Sequence, residues 1–245
     1  MQLTIIGSGS CVPTLFRGSP CNFLKIGKTN ILVDCGPGAI RQLEKVCIDY
    51  KEIDAVFITH FHTDHISDLN ALIQALQWTP GFTRTKDLII IGPVGIKQFY
   101  SEVILPMSKK PETFSVKIKE IKNKISFKEY DVFCCKTNHN DVSIAYKFKE
   151  NNKTLVISGD TGFDETFISF CKQCDVLLLE CSFSNNNKTK GHLTPQECGT
   201  IAKQAHAQKL ILTHLYPLQS ETRLDEARRV FSNTIMAEDC MIIDI

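Results

Sequence analysis

The 245-residue chain lacks any Pro-, Gly- or Ser-rich tract of the kind that separates domains. Its apolar content is 43%. This apolar content is enough to bury one substantial core, and we expect a single domain over residues 1–245. The chain also lacks a strong net charge, since 28 Lys and Arg residues are balanced by 27 Asp and Glu residues. Without an overall basic field, a long nucleic acid is not the expected partner.

Segments typical of export or membrane insertion are also missing. The first seven residues have neither a basic region nor a long apolar region, and no later apolar run is long enough to cross a bilayer. We therefore expect a cytoplasmic protein that makes no membrane contact. Its eleven cysteines are then expected to be reduced. Cys171 and Cys174 form a lone C-x-x-C, which without a second pair favours a structural role over a redox or metal-binding one.

What the sequence does have is a dense group of histidines and one aspartate after the apolar run at residues 55–58. His60, His62, Asp64 and His65 lie within six residues. Imidazole is a common ligand for zinc and iron, and a carboxylate suits harder divalent ions. His60 and His62 should project to the same side, whereas Asp64 and His65 lie on the following turn and can face a second ion. The pattern predicts half of a two-metal site; the alternative is a loop whose histidines only form hydrogen bonds.

Further candidates follow predicted strands along the chain. Asp34 ends one strand and precedes a predicted helix, so it can orient a metal ligand, cap that helix, or do both. His139 lies between two predicted strands, Asp160 in a turn after a strand, and His214 at the end of another. We expect loops after these strands to bring the residues to one sheet edge. His206 lies in a predicted helix without a partner and is interpreted as a surface residue.

The order of these residues resembles the signature of the metallo-β-lactamase superfamily. The run H-x-H-x-D-H at residues 60–65 is followed by His139, by the turn that contains Asp160, and by His214, so the match spans nearly the whole chain. The resemblance implies an α/β fold of the four-layer αββα type, with two mixed β-sheets face to face and helices outside. The resemblance also implies a ligand set. His60, His62 and His139 would bind a first metal, Asp64, His65 and His214 a second, and Asp160 would bridge the two.

Within the superfamily, three features look like the ribonuclease Z branch. They are the turn at residues 7–9 with Pro13 and Arg17, the segment from His139 through Ser143 to Tyr146, and Gly191-His192 before a capped helix. By this resemblance His192 corresponds to an additional catalytic histidine. One departure is that tRNA-processing members carry a long arm between the third and fourth ligand motifs, whereas residues 140–159 leave room only for a hairpin. We expect the tRNA-grasping element to be missing.

The chemistry follows from the ligand set. Two close divalent ions can lower the pKa of a bridging water and hold the attacking and leaving oxygens of a phosphoester. With only N and O ligands the ions can be zinc, manganese or iron, and we favour zinc. Asp64 and His192 are the predicted catalytic residues, His192 being free to bind a phosphoryl oxygen or to protonate the leaving alkoxide. The alternative role of His192 is a hydrogen bond at the start of the helix.

The leading hypothesis is a dinuclear metal-dependent phosphodiesterase that uses a metal-bridging hydroxide. Its expected substrate is a small or terminal phosphodiester, such as a cyclic nucleotide or a short nucleotide. One alternative is a tRNA 3′-end endonuclease, a ribonuclease Z; another is a non-catalytic metal-binding regulatory protein, disfavoured because every ligand and His192 are present. A basic segment is formed by Lys117, Lys119, Lys122 and Lys124. We interpret it as a solvated sheet edge in preference to a nucleic-acid contact. A homodimer is left open.

Overall fold

The computed structural model describes residues 1–12, 14–217 and 222–245 and contains two seven-stranded sheets. The first sheet consists, in spatial order, of β14 (Ile242–Asp244), β1 (Gln2–Gly7), β2 (Cys21–Ile26), β3 (Thr29–Val33), β4 (Ala55–Phe57), β5 (Leu88–Gly92) and β6 (Val116–Glu120). Neighbouring strands are antiparallel from β14 to β3 and parallel from β3 to β6.

The second sheet has the same mixed character. It consists, in spatial order, of β13 (Thr234–Met236), β12 (Lys209–Thr213), β11 (Val176–Glu180), β10 (Lys153–Ile157), β9 (Ile144–Glu150), β8 (Asp131–Lys136) and β7 (Lys124–Ser126). Strands β13 to β10 are parallel, and β10 to β7 are antiparallel. The parallel strands β4, β11 and β12 read as continuous apolar runs because both of their faces are covered.

Helices cover the outer face of each sheet. Those of the first half are α1 (Ala39–Lys45), α2 (Thr63–Ile66), α3 (Asp68–Trp78), α4 (Ile96–Phe99), a π-helix (Tyr100–Ile104) and α5 (Leu105–Ser108). Those of the second half are α6 (Glu165–Phe170), α7 (Pro195–Gln204) and α8 (Arg223–Val230), and short 3₁₀ helices span Tyr50–Glu52 and Asn185–Asn187. Helix α7 begins with the predicted capping box, in which Thr194 caps and Glu197 returns the bond.

Three buried clusters define the layers. The inner cluster joins both sheets, and its centre is the Phe57 ring of β4, 5.3 Å from the ring of Tyr146 and 5.2 Å from that of Phe148 on β9. The two outer clusters join each sheet to its own helices. These layers confirm the predicted αββα sandwich. Because the inner cluster contains residues of strands from β1 to β14, we propose that residues 1–245 form a single domain.

The segment between His139 and Asp160 is a hairpin. Strands β9 and β10 pair from Glu150 and Lys153 onward, so two residues form the turn, and Asn151 adopts a positive φ of 52°. A protruding arm does not occur in this described segment. Elsewhere, residues 96–108 form three consecutive helical segments, which are α4, the π-helix and α5.

His206 and the basic segment lie at the surface. His206 is exposed, but it follows the end of α7 rather than lying within a helix. Lys117 and Lys119 are exposed on the edge strand β6, and Lys124 lies 2.9 Å from Asp131. No helix in the described ranges is both long and apolar enough to cross a membrane.

Candidate metal centre

The candidate ligands gather where strands of both sheets end. Asp34 follows β3, His60 comes shortly after β4, Asp160 follows β10 and His214 follows β12. His139 lies in the turn that joins β8 to β9 at the same edge. The carboxyl ends of parallel strands meet at one edge of a sheet, which is why residues far apart in sequence come together here.

The first group contains three imidazoles and one carboxylate. His60 Nε2 lies 3.0 Å from His62 Nδ1, and His139 Nε2 lies 3.2 Å from the same Nδ1 atom. Asp160 Oδ2 is 3.8 Å from His60 Nε2 and 3.6 Å from His139 Nε2. The ligand atoms of these four residues all lie within 4.8 Å of one another.

The second group contains Asp64, His65 and His214. His65 Nε2 lies 3.3 Å from His214 Nε2. Asp64 Oδ2 is 3.4 Å from His214 Nε2 and 3.6 Å from His65 Nε2. The second oxygen of Asp160, Oδ1, faces this group at 3.2 Å from His214 Nε2 and 3.3 Å from His65 Nε2. Each Asp160 oxygen thus faces a different group, as a bridging ligand would.

Burial and the charges of neighbouring residues shift the pKa values of several histidines and carboxylates in the cluster. Burial would raise the pKa of Asp160, but the neighbouring His214 and His65 hold it well below its usual range. Burial would lower the pKa of His65, yet the charges of Asp160 and Asp34 raise it well above that of an ordinary histidine. For His60, burial and the adjacent His65 lower the pKa, so this imidazole is neutral at pH 7, which is the form that binds a metal.

The geometry of the donors fits metal ions. Four tetrahedral ligands about 2.0–2.1 Å from an ion lie roughly 3.3 Å from each other, which is close to the nitrogen–nitrogen distances of 3.0–3.3 Å found here. Asp160 Oδ1 is buried and faces the imidazole nitrogens of His65 and His214 without a well-aligned hydrogen bond, and a cation between these atoms would compensate its charge. The donors are nitrogen and oxygen atoms only, which suits zinc and also manganese or iron.

Asp34 supports the cluster from behind. Its Oδ2 lies 2.7 Å from His65 Nδ1, so the carboxylate accepts the proton on that nitrogen and directs Nε2 toward the second group. Its Oδ1 accepts a hydrogen bond from Thr59 N at 2.8 Å. The backbone at Asp34 adopts a positive φ of 61°, a strained conformation that these bonds maintain. The alternative role as a helix cap is wrong, since the residue at the cap of α1 is Gly38.

Two close backbone approaches fix the ligand loops. Gly159 has a φ of +58°, and a Cβ atom there would come within 2.7 Å of Thr59 Cβ, the residue before His60. Gly36 lies so close to the Asp64 carbonyl that a Cβ atom would meet its oxygen at 1.9 Å. Gly159 lets a ligand loop of the second sheet pack against one of the first, and Gly36 lets two loops of the first sheet pack together.

His192 lies beside the second group but differs from the ligands in its partner. Its Nδ1 is 2.9 Å from Oε1 of Glu180, a fully buried carboxylate at the end of β11. One nitrogen of His192 also lies within 4.8 Å of ligand atoms of Asp160 and His214. Burial would lower the pKa of His192, but the hydrogen bond and charge of Glu180 raise it. The helix is capped by Thr194, so the predicted alternative of a helix-start hydrogen bond is not what the His192 side chain makes.

Two residues of this network were missed by sequence reasoning. Glu180 also accepts hydrogen bonds from Thr161 N and from Ser182 Oγ. The Ser182 hydroxyl lies 2.9 Å from His214 Nδ1 and thereby links that ligand to Glu180. The available signal was a carboxylate at the end of a buried apolar strand, the same signal that drew attention to Asp34.

Other predicted positions fall outside the cluster. Cys171 and Cys174 are buried free thiols in the outer cluster of the second sheet. Among the described residues, neither belongs to a group of side chains that could hold a metal ion. Arg17 donates a hydrogen bond to Ser8 Oγ at 2.6 Å, and Asp239 accepts one from Ser8 N, so the glycine turn is held to the C-terminal segment. Pro13 lies outside the described residues.

Comparison with known proteins identifies the family. The model described as the beta-lactamase superfamily domain matches residues 29–215, which include every candidate ligand. The chain belongs to the beta-lactamase superfamily. A relative within this superfamily is the ribonuclease Z of Archaeoglobus fulgidus, 24% identical, in an alignment that covers 100% of this chain and 97% of the relative. That alignment runs over 303 positions, so the relative has segments without a counterpart in these 245 residues.

Two solved superfamily structures are similar over nearly the whole chain. One is the metallo-beta-lactamase fold protein YhfI from Bacillus subtilis, with a TM-score of 0.87 and 26% identity, covering 99% of this chain and 98% of that chain. The other is the short form of human tRNase Z, with a TM-score of 0.82 and 25% identity, covering 100% and 99%. The chain is therefore a metal-dependent hydrolase of this superfamily that is similar to ribonuclease Z, and this similarity weighs against the alternative of a non-catalytic regulatory protein.

Proposed function

We propose that this hydrolase cleaves small or terminal phosphodiesters, such as cyclic or short nucleotides, with two divalent ions, zinc being favoured. The observation that carries the proposal is the Glu180–His192 pair. Its distance of 2.9 Å fixes Nδ1 of His192 and leaves Nε2 for the substrate side of the ligand cluster. A hydrolase of carbonyl compounds has less use for a histidine beside the metals that is not itself a ligand, whereas a phosphodiester has an alkoxide to protonate.

The proposed roles divide the cluster into four parts. His60, His62 and His139 would hold the first ion, and Asp64, His65 and His214 would hold the second. Asp160, which faces both groups, would serve both ions. Bound divalent ions would neutralise phosphoryl charge and acidify a water molecule. Asp64, whose Oδ2 lies 3.4 Å from His214 Nε2, completes the second position. Asp34 keeps His65 in the tautomer that binds through Nε2.

His192 is the proposed proton donor. Because Glu180 raises its pKa, a larger share of the imidazole carries a proton near neutral pH than in an ordinary histidine. In that form its Nε2–H can donate a hydrogen bond to a phosphoryl oxygen or transfer its proton to the leaving oxygen. Glu180 stabilises the protonated ring and fixes its orientation, and both of its oxygens are fully engaged with neighbouring donors.

Endonuclease cleavage of precursor tRNA is the second candidate function. It is favoured by the similarity to ribonuclease Z of Archaeoglobus fulgidus and to the short form of human tRNase Z. These names weigh against our expectation that a long nucleic acid is an unlikely partner. Against tRNA cleavage stand the two-residue turn between β9 and β10 and the balanced charge of the chain. Small phosphodiesters therefore remain our first choice.

The test is a parallel assay of metal-loaded protein on bis(4-nitrophenyl) phosphate, 2′,3′-cyclic nucleotides, lactones, thioesters and a precursor tRNA. We expect turnover of the phosphodiesters with little activity on lactones and thioesters, and weak, strongly salt-dependent tRNA binding. Efficient cleavage of precursor tRNA at its 3′ end would promote the second candidate. Preference for a lactone or thioester would refute the phosphodiesterase proposal.

A further inference from the structure

A cavity of about 310 Å³ opens next to the metal centre on the His192 side. Ser182 connects the cavity with the metal centre. It lines the cavity, and its hydroxyl lies 3.3 Å from His192 Nδ1 and 2.9 Å from His214 Nδ1. The Phe183 ring, also in the lining, is 5.4 Å from the His192 ring. Whatever lies in this cavity is adjacent to the proposed proton donor.

The lining combines aromatic rings with polar groups, which include the buried guanidinium of Arg223 and the amide of Asn187. Phe183 and Tyr216 stack on each other with ring centroids 4.9 Å apart at an angle of 26°. Val12 adds apolar surface, and Ser184 and Thr189 add hydroxyls. The Ser184 side chain is 93% buried, and its hydroxyl has no hydrogen-bond partner among the described residues. A buried hydroxyl without a partner costs free energy that a ligand with a polar edge would recover.

We infer that this cavity receives the base of the nucleoside that leaves when the phosphodiester is cleaved. The inference rests on the proposed function and names its substrate class. If His192 protonates the leaving oxygen, the rest of the leaving group must lie on the His192 side, where the cavity begins. A nucleobase matches the lining because its flat face packs on aromatic rings and its edge carries donors and acceptors for hydroxyls. Phe183 and Ser184 are then specificity-determining residues.

The experiment compares three substrates in metal-loaded protein. They are adenylyl-adenosine and two derivatives that each lack one base. Product analysis identifies which nucleoside leaves. Removing the base of the leaving nucleoside should lower kcat/KM by roughly 5- to 100-fold, the range expected for base–aromatic stacking, whereas removing the other base should have little effect. Equal rates on all three substrates, or a dominant effect of the other base, would overturn the inference.

Two variants assign the effect to the cavity. Phe183→Leu should abolish the preference for a base on the leaving side, so that kcat/KM falls by a larger factor on adenylyl-adenosine than on the derivative without that base. Ser184→Ala keeps the contact between the Phe183 and His192 rings. It should reduce kcat/KM on adenylyl-adenosine roughly 2- to 10-fold and have less effect on the derivative that lacks the leaving-side base. Trp78→Leu, an exposed aromatic change at the end of α3, is the matched control and should have no effect. Equal losses on both substrates in Phe183→Leu and Ser184→Ala would contradict the assignment.

Failure of the proposed function gives a different result. If no phosphodiester is cleaved, calorimetric binding of adenosine and of ribose to the metal-loaded protein tests the cavity alone. Adenosine binding that is weakened in Phe183→Leu but kept in Trp78→Leu would support a base site in a protein of another activity. Absence of adenosine binding in the wild-type protein would overturn the inference.

Discussion

The imidazole Nδ1 of His192 lies 2.9 Å from a carboxylate oxygen of Glu180, a residue with no exposed surface. This pair sits beside the second group of candidate ligands, yet neither residue is needed to complete the two groups. A fixed imidazole with a raised pKa is what protonation of a leaving oxygen requires. The pair can therefore be tested separately from the metal ions.

The first prediction concerns His192→Ala. The variant should retain its metal ions but lose roughly 10²- to 10⁴-fold in turnover of a phosphodiester with an alkyl leaving group, the usual scale of general acid catalysis. With nitrophenolate as the leaving group the loss should be much smaller, because that group needs little protonation. Equal losses on both substrates would mean that His192 binds phosphate instead. Full activity on both would remove His192 from the mechanism.

The second prediction concerns Glu180→Gln. The neutral amide can no longer stabilise a protonated His192, so turnover with the alkyl leaving group should fall at least roughly 10-fold, and the pH profile should shift to lower pH because the pKa of His192 falls. In the His192→Ala background the same change should cost little more, since the two residues act as one unit. An additive loss would show that Glu180 acts mainly on the structure of the β11 loop. Thermal unfolding and metal content of each variant are the controls.

The third prediction concerns Asp34→Asn. The amide cannot accept the His65 proton as a carboxylate does, so affinity for the second metal ion should fall roughly 10- to 100-fold, the usual effect of removing a partner of a metal-bound histidine. Competition with a chromogenic chelator measures this affinity. Asp68→Asn is the matched control, because that carboxylate accepts a bond from Ile40 N and touches no candidate ligand. Equal affinity in wild type and Asp34→Asn would contradict the assigned role.

The fourth prediction compares two glycines with a positive φ. Gly159→Ala should lower the free energy of unfolding by about 2–4 kcal/mol, because backbone strain is added to a contact of 2.7 Å with Thr59. Gly81→Ala should cost about 1 kcal/mol, since φ is +74° there but no atom lies within 4 Å of the new Cβ. Urea denaturation measures both. Similar losses would mean that the Thr59 loop moves freely away from Gly159.

Sequence reasoning succeeded where the signal is local or ordered along the chain. The run from His60 to His65 is recognisable from its density of ligand-type residues alone. The αββα fold was implied by the resemblance to the metallo-β-lactamase superfamily, which the order of His139, Asp160 and His214 supports. Roles of these residues remain proposals. The element ends are also local, as with the Thr194 capping box.

What escaped prediction depends on contacts between distant segments. Glu180 reads simply as the last residue of an apolar strand, and its importance arises because His192, twelve positions later in the sequence, returns to it. The cavity beside the site is lined by residues of the segment 183–191 together with Val12, Tyr216 and Arg223, which come from distant parts of the chain. Strand β13 has three residues, too few for a periodic pattern.

The most direct test of a dinuclear phosphodiesterase is a titration of metal-free protein with zinc while hydrolysis of bis(4-nitrophenyl) phosphate is followed. We predict that turnover rises until two equivalents per chain are bound and then levels off, whereas His214→Ala, which removes a ligand of the second ion, should not reach the wild-type maximum. A wild-type plateau at one equivalent, or no hydrolysis at any zinc concentration, would contradict the account.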